Sequence, residues 1–343
     1  MSRYKIILTF SLTFLALGIS LTACDFDPGS TTTPGQDHDM AVKGAPAAAA
    51  PAIAYIDASS RLGVMDSSST NQTIVYTPSS GNWIDRPHWS PSNSVLWAEY
   101  PSSGNTSSIR AADISVSGGV PGASNIRTIL SESDDTARIR FPTWSSTTST
   151  DKIAFAFYRG SSGGVRRPSY VCTISSDGSG LDTLYTTTAG VVAGITWNAD
   201  DSKLAIYLSE VGQILILNAA TGAVEETIAI SDNGNYGGLH SLEWSRSSSI
   251  NKLMFVLDGR VQYVTPSTGS SPSTQNVGYG NAPITIAQRA SWSPNNSGVM
   301  FIKATWTNSC GCDKHSLVKC TAQSSSVKDI DKTFEATDLH WHR

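Results

Sequence analysis

Three sets of residues in this sequence are of types that can do chemistry. The first is a column of six polar residues, each immediately before a tryptophan: His88, Thr143, Thr196, Glu243, Ser291 and His340. Two imidazoles and a carboxylate are ligands that a divalent metal accepts. The second set joins arginines, aromatics and acids: Trp83, Asp85, Arg86, Arg138, Arg140, Tyr236, His240, Arg289, Trp306 and Asp338. Guanidinium groups beside aromatic rings are the usual composition of recognition hot spots. The third set is the cysteines, Cys24, Cys172, Cys310, Cys312 and Cys320.

Motifs that would assign a reaction are missing. There is no His-Glu-x-x-His zinc helix, no phosphate-binding loop and no dinucleotide fingerprint. His240, Arg289 and Asp338 match the residue types of a hydrolase or lyase site, but nothing in their spacing argues for catalysis.

Composition narrows the positioning elements. Of 343 residues only 15% are charged, 39% are hydrophobic, and 28 are Gly. So little charge argues against coiled coils and long exposed helices. A formal net charge of −4 provides no basic footprint for nucleic acid. The apolar share and nine Trp exceed what simple disorder carries. Short apolar runs between Ser-, Thr- and Gly-rich turns read as all-β.

The first residues read as an address. Arg3 and Lys5 precede an apolar run from Ile6 to Ile19, the length of a signal peptide rather than a comfortable membrane span. The run ends in Leu21-Thr22-Ala23-Cys24, which resembles the bacterial lipoprotein cleavage box. That resemblance implies loss of residues 1–23 and a lipid on Cys24. It also implies export to the outer face of the cytoplasmic membrane, periplasmic or cell-surface. Residues 24–50 lack apolar periodicity and read as a tether. Asp25 resembles a signal for inner-membrane retention in two-membrane envelopes.

A repeat organises residues 51–343. Trp89, Trp144, Trp197, Trp244, Trp292 and Trp341 are spaced by 55, 53, 47, 48 and 49. A polar turn follows each of the first five, then an apolar strand such as Val95-Leu96-Trp97 or Leu253-Met254-Phe255. Further short strands complete about four per repeat, the pattern of a propeller blade. Trp-Ser-Pro-Asn with an Ile-Ala-Phe-like strand and an Asp-Gly-Ser-Gly turn resembles the TolB-type propeller repeat. Trp197-Asn198 and Trp244-Ser245-Arg246 depart from it. The resemblance implies work by partner binding at the envelope. It does not extend to the separate N-terminal α/β domain of that family.

The strand holding Trp341 lacks companions at its own end of the sequence. They stand at the other end, in Ile53–Ile56, Leu62–Met65 and Thr73–Tyr76. The expected fold is therefore a six-bladed β-propeller of four-stranded antiparallel blades, closed by pairing the C-terminal strand with the N-terminal strands.

Strand alternation then orients the chemistry. The tryptophans pack between blades, and the polar column lines the central channel. That channel reads either as a water-filled structural feature or as a small-ligand or cation site; His88 and His340 fall on neighbouring blades, but Glu243 falls opposite His88, a wide span for one metal. The arginine and aromatic set falls on the loops entering the innermost strands, with Trp306 in a loop over 304–315. It reads as a binding rim or as solvated loop charge. Cys172 and Cys320 belong to opposite blades, beyond disulfide reach. A bridge of Cys320 to Cys310 or Cys312 is expected, with free thiols or a metal as alternatives. No metal or cofactor is expected. The reading is a monomeric, membrane-anchored scaffold for an envelope protein, peptide or glycan. The alternative is a carbohydrate-active hydrolase or lyase at the channel mouth.

Overall fold

A computed structural model describes residues 51–343, except 70, 102–105, 134–136, 160–167, 231–238, 258, 267–284, 307–312, 322–326, 332–335 and 342–343. Cys24, Tyr236, Cys310 and Cys312 lie outside the described residues, as do the side chains of His240, Trp306 and Cys320.

Every element among the described residues is a strand. β1 (Ile53–Asp57), β2 (Leu62–Met65) and β3 (Thr73–Tyr76) open the domain. Four strands follow in β4 (Asn82–Trp89), β5 (Ser94–Pro101), β6 (Ser107–Ser117) and β7 (Val120–Glu132). The next four are β8 (Ala137–Trp144), β9 (Lys152–Arg159), β10 (Ser169–Ser175) and β11 (Asp182–Thr187). Then come β12 (Val192–Trp197), β13 (Lys203–Leu208), β14 (Gln213–Asn218) and β15 (Val224–Ala229). A fourth group holds β16 (Leu239–Trp244), β17 (Leu253–Leu257) and β18 (Arg260–Val264). The last are β19 (Thr285–Trp292), β20 (Gly298–Trp306), β21 (Asp313–Thr321), β22 (Val327–Asp331) and β23 (Ala336–Trp341).

These strands form six antiparallel sheets. Five have four strands, and the β16–β18 sheet has three among the described residues. β23 pairs with β1 in the order β23-β1-β2-β3, with Ile53 opposite Trp341 and Ile56 opposite Asp338. The C-terminal strand thus closes the N-terminal blade, and the innermost strands β4, β8, β12, β16, β19 and β23 contact one another in a ring. The protein is a six-bladed β-propeller.

The second strands explain the packing. β1, β13 and β17 are apolar except for Asp57 and Lys203 at their ends and almost wholly buried, because each is covered on both faces by neighbouring blades. Six apolar clusters result, one per blade junction. All six repeat tryptophans are buried at these junctions, from Trp292 at 0% exposure to Trp89 at 5%.

Candidate functional site: the channel and its arginine mouth

The polar column has a structural role that its spacing does not reveal. Five of its six members reach the next blade's repeat tryptophan and accept its backbone N–H, while the Thr143 carbonyl accepts from the Trp197 indole N–H at 3.3 Å. His340 Nδ1 accepts from Trp89 (3.1 Å), His88 Nδ1 from Trp144 (3.2 Å) and Thr196 Oγ1 from Trp244 (3.2 Å). Glu243 Oε2 accepts from Trp292 (3.3 Å), and Ser291 Oγ from Trp341 (2.9 Å). A backbone donor on an innermost strand has no further strand on its channel side. A side chain from the previous blade satisfies it instead.

The channel is also narrower than expected. The rings of His88 and His340 stack with centroids 3.8 Å apart, and His340 Nε2 lies 3.7 Å from Glu243 Oε1. Arg246 fills the remaining span. From the turn after Trp244 its guanidinium reaches inward to Glu243 Oε1 (3.2 Å), His340 Nε2 (3.3 Å) and the carbonyl of Trp341. The distance expected to keep these groups apart is therefore bridged, and a guanidinium stands beside the imidazoles and carboxylate. Among the described residues no His, Cys, Asp and Glu group has the arrangement of a metal site. Burial pushes the Glu243 carboxyl up and the Arg246 guanidinium down, each partly offset by the other's charge. Two small cavities of about 30 and 60 Å³ flank this plug and share His88, Thr143, Glu243 and His340 in their walls. That is room for a few waters.

At one mouth of the channel the arginine and aromatic residues converge. Trp83, Asp85 and Arg86 belong to β4, and Arg138 and Arg140 to β8, so they are strand residues rather than loop residues. Both strands are irregular: the β4 register shifts between Asp85 and His88, and the β8 register between Arg140 and Thr143. Arg86 (φ 57°) and Phe141 (φ 55°) adopt left-handed backbone there, uncommon for such residues. The irregularity brings the Arg86 guanidinium over the Phe141 ring at 4.7 Å.

Two acids hold the arginines. Asp338 accepts the Arg86 backbone N–H at 3.0 Å and lies 3.8 Å from Arg86 Nε and 3.4 Å from Arg289 Nε. Asp85 lies 3.4 Å from Arg140 Nη1 and accepts from the Tyr100 hydroxyl at 3.3 Å. Arg140 also covers the Tyr100 ring at 4.3 Å and the Trp83 ring at 5.2 Å, and those two rings stack at 4.1 Å. Burial is the main influence on both charges: it raises the Asp85 carboxyl, and with the nearby Arg289 it pulls Arg86 down to about 10. Three guanidinium groups and two carboxylates thus share a half-buried mouth with three aromatic rings.

Of the other expected rim residues, Arg138 is half-buried in β8 and pairs in register with Tyr158. His240 lies in β16, and Trp306 ends β20 opposite Asp313, so residues 304–306 and 313–315 of the expected loop are strand. Cys172 is a buried free thiol. Tyr100, Phe141 and Arg246 were not among the expected site residues.

Comparisons with known proteins extend the fold and not the activity. No family model matches the chain, and no curated protein matches it. Solved structures do. A chain of a nidogen/laminin complex aligns with TM-score 0.58 at 12% identity, over 85% of this chain and 98% of that one. A protein of unknown function from Bacteroides caccae aligns with TM-score 0.56 at 10% identity, over 85% and 99%. A periplasmic gluconolactonase from Pseudomonas aeruginosa aligns with TM-score 0.51 at 9% identity, over 85% and 99%. At these identities the likeness is one of fold.

Proposed function

We propose that this protein is a TolB-like binding propeller, exported and held at the membrane through a lipid on Cys24. In this reading the arginine mouth takes an envelope protein, peptide or glycan, and the protein acts as a monomer. One observation carries the reading: Arg86, Arg140 and Arg289 share a half-buried mouth with Trp83, Tyr100 and Phe141. Arginine and aromatic groups that are already ordered lose little entropy on binding, which favours recognition. A guanidinium matches the geometry of a carboxylate or phosphate, so a partner presenting an acidic group fits best.

The test is a pull-down from envelope extract with the purified chain, alongside a glycan array. A partner captured by the parent chain and lost from an Arg86→Ala/Arg289→Ala variant of unchanged circular dichroism supports the mouth as the site. A partner captured equally by both rules the mouth out. Turnover of an arrayed glycan, lost on Asp85→Asn, would favour the hydrolase or lyase reading.

A further inference from the structure

We propose that the tip of the β6–β7 hairpin is a membrane-contacting element, seated in the lipid surface to which the N-terminal segment leads. Among the described residues the hairpin is the longest, with strands of 11 and 13 residues where the others have four to nine. β5 stops supporting it at the Ser94–Asp113 pair, yet β6 and β7 continue to pair through Ile114–Ala123 and on to Ser117–Val120. Beyond Ile114 the two strands therefore extend past the blade. Residues 115–120 are all exposed, and a Cβ added at Gly118 or Gly122 would meet no atom within 4 Å.

The chemistry of this tip is unusual for exposed chain. From Ile114 to Ile126 there is no charged residue. Val120 is 60% exposed and Val116 is 39% exposed, on either side of a Gly118-Gly119 turn with left-handed φ at both positions. An uncharged, apolar tip can enter the interfacial layer of a bilayer without the cost of desolvating a charge.

Topology supplies the partner. β4 runs from the arginine mouth at Trp83 to Trp89, which pairs with Val95, so Ser94 and the hairpin beyond it lie on the opposite face. β1 begins on that same face: Ile53 pairs with Trp341, whereas Ile56 pairs with Asp338 at the mouth. The hairpin base is fixed to the blade that β1 belongs to, since Ile114 and Ala123 pack with Val64, Val75 and Tyr76. The start of β1 and the apolar tip thus lie on one face, in adjacent blades. Fully extended, the 28 residues between Cys24 and Ile53 would span at most about 100 Å. A lipid on Cys24 keeps the tip within that distance of the bilayer, and this part of the proposal rests on the lipidation reading. Contact through the tip then turns the arginine mouth away from the membrane.

Hydrogen exchange by mass spectrometry tests it, on vesicles of phosphatidylethanolamine and phosphatidylglycerol bearing the full lipidated chain. Exchange across residues 114–126 should slow several-fold relative to a Cys24→Ser chain in solution, and a Val116→Asp/Val120→Asp variant should lose that protection alone. Equal exchange on and off vesicles overturns the proposal. So does protection that appears in solution as protein concentration rises, which would mark the tip as a contact between copies. Intact mass decides lipidation separately. If Cys24 carries no lipid, the same exchange measurement uses an N-terminal hexahistidine tag on nickel-chelating vesicles, with the same two decisive outcomes.

Discussion

The imidazoles of His88 and His340 lie face to face, 3.8 Å between centroids, where the innermost strands of two neighbouring blades meet. The C-terminal strand supplies His340, and the blade beside it supplies His88. Each ring also accepts a backbone N–H from the following blade, His340 from Trp89 and His88 from Trp144. The pair therefore links three consecutive blades, including the one that closes the ring.

Replacing His340 with Ala should destabilise the ring by about 1–3 kcal/mol, because the buried Trp89 N–H loses its acceptor. Urea unfolding of the parent and variant chains measures this. An unchanged midpoint and slope would show that water or a shifted strand takes over the bond.

Arg246 is a more severe case. Its side chain and that of Glu243 are each about nine-tenths buried, and each offsets the other's charge. Arg246→Met should cost about 3–5 kcal/mol by leaving a carboxylate buried without its cation. Adding Glu243→Gln should recover part of that loss, since the double variant buries no charge in the plug. A double-mutant cycle by chemical denaturation reads the coupling. Simple additivity of the two losses would contradict the geometry.

Much of the ring was legible in the sequence, because a blade repeats one packing problem six times. Trp89, Trp144 and their counterparts mark the junctions, and the polar residue before five of them clasps the next blade. Arg86, Arg289 and Asp338 could be placed at one mouth by strand direction alone. Arg246 could not: two residues after a tryptophan, in a turn, an arginine reads as solvated surface. Its one signal was the departure from Ser-Pro at Trp244-Ser245-Arg246. Phe141 was hidden for another reason. It reads as an ordinary strand residue until a left-handed backbone displaces it from the alternating pattern.

Carboxylates in the turn after Trp197 and in the turn after β10 contribute to the acid limb of stability. Hydrogen bonds from the Ser179 hydroxyl and N–H hold the Asp177 carboxylate below its usual range, and Ser202 does the same for Asp200. A carboxyl depressed in the folded state contributes stability that is fully present above its unfolded value, near 3.8, and is lost as pH falls further. Melting temperature should therefore decline below about pH 4. The decline should be shallower in an Asp177→Asn/Asp200→Asn variant. Parallel pH profiles would show that neither carboxylate contributes.

The cysteines separate by environment. Cys172 is buried, and burial raises its thiol above the usual value, so little thiolate is present at neutral pH. Iodoacetamide applied to the native chain should leave Cys172 unmodified, and modification should appear only on unfolding. The same non-reducing peptide map should show Cys320 linked to Cys310 or Cys312 if the expected loop bridge forms. Rapid native alkylation of Cys172 would contradict the buried placement.

Gly222 shows why a turn glycine can be fixed by a neighbouring blade rather than by its own turn. It sits at φ 71° in the turn before β15, under the outer strand β11 of the preceding blade. A Cβ there would lie 1.9 Å from the Leu184 carbonyl oxygen and 2.9 Å from its carbon. Backbone atoms cannot swing aside as a flexible side chain can, so the two blades would have to separate. Gly118 has a comparable φ of 60° but open space around it. Gly118→Ala should therefore cost only the left-handed backbone term, about 1 kcal/mol. Gly222→Ala should add an overpacking loss of about 1–3 kcal/mol to the same backbone term. Thermal denaturation of the two variants side by side isolates the difference, since the backbone contribution is common to both. Equal losses would mean that the outer strand yields, and that the blades are held by their buried tryptophans more than by contact at their edges.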